Sequence, residues 1–324
     1  MSKVAFVFPG QGSQAVGMGV RLMEECVEAR AVVYAADDAL SGKLDLISLL
    51  SDGPRESLDR TANTQPAILT VSLAAHAALL ARLPGLRPTL VAGHSLGEYS
   101  ALVAAGALSL PDALRAVRAR GTFMQQAVPE GFGAMAAIVG LGAEQVEAVC
   151  ARVSSEEGGV VEPANINGPR QTVISGEAGA VAVACKLLKQ NGARRVVQLP
   201  VSAPFHCSLM APVKTPLEAI LEEVDIRAPK VPVISNVDAT PVRSPRRVKS
   251  LLVKQVVSPV LWEQTIRAFA AAGVTDVVEL GPGKVLCGLV RRIEPTINCH
   301  NVEDPDGLGE VVSALGGDGG GRNV

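Results

Sequence analysis

Thr89-Leu90-Val91-Ala92-Gly93 is a short apolar run that passes, without a linker, through His94-Ser95 into the Ala- and Leu-rich stretch from Leu96 to Ala107. The first part reads as a buried strand and the last as a helix packed in a core. A strand that turns straight into a helix needs small residues at the bend. Gly93-His94-Ser95-Leu96-Gly97 places a glycine on each side of the serine. This is the G-x-S-x-G elbow, whose strained turn lifts a serine hydroxyl above the end of a sheet. The Leu96 N–H, at the helix start, then points where an oxyanion would form. The feature implies an α/β fold and makes Ser95 the candidate nucleophile.

The remaining pattern extends that fold. Val4 to Phe8 reads as a buried strand, Met18 to Ala29 as a helix, and Pro66 to Leu83 as a buried helix stopped by Pro84-Gly85. Ser109 and Asp112 form a capping box that opens a helix running to about Gln126. The texture changes at Gly133. Strands at Ala134–Val139, Val160–Ile166, Gln171–Ser175 and Arg195–Leu199 and helices at Glu144–Val153 and Ala178–Gln190 fall in the order β-α-β-β-α-β. That is the ferredoxin-like signature, so 131–199 is expected to be an inserted small domain.

Alternation then resumes. Helices are expected at Val213–Glu223, Arg246–Val256, Leu261–Ala272 and Lys284–Ile293, and strands at Val231–Ser235 and Asp276–Leu280. Such alternation predicts a mainly parallel sheet covered on both faces. Segments 1–130 and 200–315 are therefore expected to close into one large α/β domain, with 316–324 as a flexible tail.

Composition removes several function classes. Hydrophobic residues are 48% of the 324, so a sizeable core is available, but aromatics are only 3% and the net charge is −2. Few stacking platforms and no overall basic field argue against nucleic acid as a partner. The apolar start is too short for a signal peptide. Ala67 to Ala81 carries Thr70, Ser72 and His76 and is closed by Arg82, too short and polar to span a bilayer. The six cysteines include no Cys-x-x-Cys pair, which leaves zinc and redox motifs unsupported and suits free thiols in a reducing cytoplasm. No metal and no cofactor are expected.

A serine nucleophile needs a base, and the chain has four histidines. His94 adjoins Ser95 at a bend where neighbouring side chains diverge, His76 sits in an apolar helix, and His300 lies near an end expected to fray. His206 remains, just after a strand at the return from the small domain. The acid of a hydrolase triad is missing between them: Asp112 caps a helix and Glu98 lies on the elbow helix. A Ser–His dyad held by a backbone carbonyl fits better. Arg115, Arg118 and Arg120 share one helix; helical geometry puts Arg118 and Arg120 on the edges of its apolar face and leaves open which faces a cleft.

The loop after the first strand, Pro9-Gly10-Gln11-Gly12-Ser13-Gln14-Ala15, admits two readings. Gly10-x-Gly12-x-x-Ala15 matches a dinucleotide fingerprint, provided Ala31 to Tyr34 is a strand leading to Asp37. The other reading puts the Gln11 N–H beside the elbow as a second oxyanion donor.

Taken together, these residues resemble the malonyl-CoA:acyl carrier protein transacylase family. The matching runs are 8–14, Gly93 to Ala101, Arg120-Gly121 with Met124-Gln125, Asn165-Ile166-Asn167, Pro204-Phe205-His206, Gln255 with Ser258-Pro259-Val260, and 279–283. The resemblance implies a hydrolase-like large domain with a ferredoxin-like insertion, acting in the cytoplasm as a monomer. It makes Ser95 the nucleophile, His206 the base, Gln11 and Leu96 the oxyanion donors, Arg120 the grip on the malonyl carboxylate, and the Gln255 carbonyl the group that orients His206. Malonyl-CoA and acyl carrier protein would be the partners, in fatty acid or polyketide synthesis. Phe205 hints at malonyl over methylmalonyl. The basic positions Arg194, Arg195, Arg243, Arg246, Arg247 and Lys249 could meet an acidic carrier. A serine thioesterase or hydrolase of similar fold, a nicotinamide-dependent oxidoreductase and a non-catalytic carrier-binding module are the alternatives.

Overall fold

The computed structural model describes residues 3–201 and 203–316. Its strands, in chain order, are β1 Val4–Phe8, β2 Leu90–Gly93, β3 Gly133–Val139, β4 Val161–Gly168, β5 Gln171–Glu177, β6 Arg195–Gln198, β7 Val233–Ile234, β8 Pro241–Val242, β9 Asp276–Leu280 and β10 Asn298–Val302. Six form one sheet in the order β10-β9-β1-β2-β7-β8, parallel except for the β7–β8 pair. The other four form an antiparallel sheet, β4-β5-β3-β6.

Side-chain alternation explains why β1 is wholly apolar. Ala5 and Val7 pack with Ala92, Trp262, Ile266 and Phe269 on one face, while Phe6 and Phe8 pack with Ile68, Leu102 and Val278 on the other. Both faces are covered, so every position must be apolar. The small sheet works similarly: Ala134, Ala136 and Ile138 face the helices Ala143–Glu156 and Ala178–Gln190, and Met135 turns to the large core. Backbone bonds stitch β4 to the large sheet's side of the molecule, Ile166 N–H to Val260 O and Val260 N–H to Ala164 O, both 2.9 Å.

Several expectations are corrected. The expected helix from Met18 to Ala29 is two helices, Val20–Glu25 and Val27–Ala39, because Cys26 adopts an extended backbone between them. The long buried helix starts at Thr61, five residues before Pro66, and runs to Arg82. Pro66 has no N–H for the Ala62 carbonyl four residues back; Arg118 Nη1 donates to that carbonyl instead, at 3.3 Å. At 22 residues this helix is long and apolar enough to cross a membrane, but 78% of its most apolar window is buried inside the protein. His300 does not lie in a frayed end. It sits on β10, with Nε2 3.2 Å from Asp276 Oδ1, and the helix Pro305–Leu315 follows. The tail expected at 316–324 lies, from 317 on, outside the described residues.

Candidate active site

Every element at the elbow constrains Ser95. Its φ is +52°, in the left-handed region that non-glycine residues seldom occupy. The turn closes through Gly97 N–H to His94 O at 2.9 Å and Glu98 N–H to Ser95 O at 3.1 Å. A Cβ on Gly97 would strike the Phe8 carbonyl and one on Gly93 the Gly97 backbone, so both glycines are required by close approach. Asn236 pins the bend: its Oδ1 accepts from Ser95 N–H and its Nδ2 donates to Gly93 O, both at 2.7 Å.

His206 reaches this serine from the return segment. Its φ is also positive, +61°. Glu162 on β4 anchors the residues just beyond it, accepting from Ser208 N–H at 2.8 Å and from Ser208 Oγ at 2.7 Å. Nε2 lies 2.6 Å from Ser95 Oγ, and Nδ1 lies 2.9 Å from the Gln255 carbonyl oxygen. A carbonyl can only accept, so Nδ1 carries the proton and Nε2 is the free lone pair. Burial, and then the neighbouring Arg120 charge, push the imidazole down to about 3, so it is neutral and Nε2 keeps its lone pair. The other histidines are engaged elsewhere: His94 Nε2 lies 2.9 Å from Asn167 Oδ1, and His76 meets the rings of Phe6 and Phe8 edge-on.

The three helix arginines separate cleanly. Arg115 pairs with Glu223, and Arg118 donates to Ala62 O, Asn63 Oδ1 and Lys43 O. Arg120 is 1% exposed and turns to the serine, Nη2 to Ser95 Oγ at 3.1 Å and to Gln255 Oε1 at 2.9 Å, Nη1 to Gln65 Oε1 at 2.9 Å. Its Nε is buried and, among the described residues, without a partner. A buried guanidinium with an unused donor suits an anionic ligand.

Gln11, Leu96, Ser95, Arg120, Phe205 and His206 line one cavity of about 390 Å³. Among the described residues, the amide N–H groups of Gln11 and Leu96 have no backbone hydrogen-bond acceptor. The Gln11 loop is held by Gln14, which accepts from Gly12 N–H at 2.7 Å and donates to Asp59 at 2.8 Å. The dinucleotide reading fails here: Ala31 to Tyr34 is helical, within Val27–Ala39, and no helix opens on Gly12. The described residues hold no cluster of three or more potential metal ligands.

Gln65 and Asn236 were not singled out by sequence, and Glu98 was noted only for its position. All three are buried polar side chains, a property that only the fold displays. Of the basic positions, Arg247 is spent on Asp238 at 2.7 Å and Lys249 on Glu222 at 3.3 Å, while Arg194, Arg195, Arg243 and Arg246 are exposed.

A serine on a strand–helix elbow, a histidine 2.6 Å from its hydroxyl and a buried arginine in one cavity fit an acyl-transferring enzyme class, and a family model described as acyl transferase domain matches residues 5–303: the chain belongs to that family. Its relatives narrow the branch. The chain is 47% identical over 315 residues to the malonyl CoA-acyl carrier protein transacylase of Bacillus subtilis, covering 97% of this chain and 98% of that protein. The solved malonyl CoA-acyl carrier protein transacylase of Coxiella burnetii superposes with a TM-score of 0.93 at 40% identity, covering 97% and 98% of the two chains. A malonyl-transacylase solved in complex with its type II PKS acyl-carrier protein superposes at 0.92 with 41% identity, covering 97% of this chain and all of that one.

Proposed function

We infer that this enzyme transfers the malonyl group from malonyl-CoA to the phosphopantetheine thiol of acyl carrier protein through a malonyl-Ser95 ester. The observation that carries the reading is the meeting of three groups at one atom: Ser95 Oγ lies 2.6 Å from His206 Nε2 and 3.1 Å from Arg120 Nη2.

His206 Nε2 takes the Ser95 proton as Oγ attacks the thioester carbonyl. The Gln11 and Leu96 N–H groups receive the oxyanion; a donor of this kind is typically worth roughly 2.7–4 kcal/mol. As the tetrahedral adduct collapses, the C–S bond breaks and coenzyme A takes the proton from His206. The carrier thiol then attacks the ester, His206 accepts its proton, and Ser95 is released with that proton restored, a ping-pong cycle. Arg120 holds the malonyl carboxylate by two parallel N–H bonds, which a lysine could not make. An acetyl group leaves that arginine unpaired, so malonyl is preferred.

The same reading divides the chain into a large domain, 1–130 with 200–315, and a small one, 131–199, with substrate between them. It places the enzyme in the cytoplasm as a monomer, with no cofactor beyond the CoA substrate. Mixing the protein with malonyl-CoA should leave malonate on Ser95, seen by mass spectrometry of the Ser95 peptide. Absence of that adduct in wild type, or its persistence in Ser95→Ala, rejects the reading.

A further inference from the structure

Glu98 is a carboxylate that the acyl-transfer steps do not touch. It lies in the first turn of the helix Gly97–Ala104 and is 4% exposed. Its Oε2 accepts from Asn236 N–H at 3.1 Å and from Gln255 Nε2 at 2.7 Å. Burial pushes the carboxyl up to about 7, against those two bonds and the nearby Arg120 charge, which pull it back. A buried acid kept at such a cost needs a reason.

Gln255 supplies one. Its amide stands between Glu98 and Arg120, Nε2 toward the carboxylate and Oε1 toward Nη2 of the guanidinium at 2.9 Å. The two ends of an amide are alike in shape, so only the surroundings choose its orientation. Three acceptors surround Nε2: Glu98 Oε2 at 2.7 Å, Ser95 O at 3.1 Å and Asn236 Oδ1 at 3.4 Å. Glu98 provides the shortest of these contacts and the one carboxylate. Turned over, the amide would set oxygen against oxygen there and its NH2 against the guanidinium. The choice matters twice, because the main chain of this residue also holds His206 Nδ1 at 2.9 Å.

We propose that Glu98 is a positioning residue for malonyl selectivity: through the Gln255 amide it holds the Arg120 guanidinium in register with Ser95. This rests on Arg120 being the grip on the malonyl carboxylate. Glu98 never meets substrate; it decides which end of Gln255 faces the arginine, and so where the arginine's free donors point.

The test compares Glu98→Ala, Glu98→Gln, Gln255→Met and Arg120→Ala with wild type, each checked for folding by thermal melting. For each, kcat and KM are measured for malonyl and for acetyl transfer. Glu98→Ala is expected to raise the malonyl-CoA KM and lower the malonyl-to-acetyl ratio of kcat/KM, each by roughly tenfold or more. Glu98→Gln keeps an oxygen for both N–H donors and is expected to stay within about threefold. Gln255→Met keeps the main-chain carbonyl on His206 and is expected to lose the ratio as Glu98→Ala does, which covers the case in which Glu98→Ala does not fold. A wild-type ratio in folded Glu98→Ala or in Gln255→Met overturns the proposal. So does an equal fall for both substrates, the mark of plain structural damage. If Arg120→Ala loses the preference while those variants keep it, only the Glu98 inference fails; if Arg120→Ala itself keeps the preference, the anchor reading fails and takes this one with it.

Discussion

The main-chain carbonyl of Gln255 stands 2.9 Å from His206 Nδ1, where a hydrolase triad would have a carboxylate. A neutral acceptor fixes the tautomer but stabilises the imidazolium less than an acid does. A thioester, already activated, tolerates that loss.

His206→Asn should lower kcat/KM for malonyl transfer by about 10²–10⁴-fold, the usual worth of a general base. Asparagine tolerates the positive φ of 61° at this position, so the fold is expected to survive. Steady-state kinetics with a thermal melt check both halves of the statement.

The pH dependence has a definite sign. Burial and the Arg120 charge push the His206 imidazole from 6.5 to about 3. The acid limb of kcat/KM should therefore fall well below pH 6.5. Removing the charge with Arg120→Ala should move that limb upward, read on acetyl transfer. Stability follows the same group: the folded state binds its proton less readily than the unfolded chain, so this contribution is whole above pH 6.5 and is lost as pH falls toward 3. Urea unfolding at several pH values between these limits measures it.

Gly97→Ala should destabilise the protein by about 1–3 kcal/mol or more, the usual cost of forcing a methyl into packed backbone. The added Cβ would press on the Phe8 carbonyl, at the end of the central strand. A lowered melting temperature together with lost transfer is the expected outcome.

Arg118→Ala should cost about 1 kcal/mol of stability and leave the malonyl-to-acetyl ratio unchanged. Its guanidinium meets Ala62 O, Asn63 Oδ1 and Lys43 O. The contrast with Arg120, two residues on, tests whether the two arginines do different work.

Local pattern carried much of the fold. Strand, elbow and helix over 89–104 follow from an apolar run and two glycines, and the order of elements over 133–198 follows from apolar periodicity. What pattern missed was polar. Asn298-Cys299-His300-Asn301 has no apolar alternation, yet it is an edge strand, because β9 supplies its ladder and Asp276 receives its histidine. The break at Cys26 and the early start of the long helix at Thr61 were also hidden. The second depends on a group distant in sequence, Arg118, which donates to the carbonyl that Pro66 leaves free.

By itself the sequence determined the candidates: a serine at a glycine-bounded bend, a histidine by elimination, and an arginine that helical geometry left undecided between Arg118 and Arg120. Only the tertiary structure decided that Arg120 turns inward, and that Gln65, Glu98, Asn236 and Gln255 meet around it and the serine. The reason is physical. Backbone pattern is a property of neighbours a few residues apart, whereas Arg120 and Gln255 are 135 residues apart and bond only because the parallel sheet and its helices bring them to one buried point. There an unpaired polar group is costly, and each must find its partner.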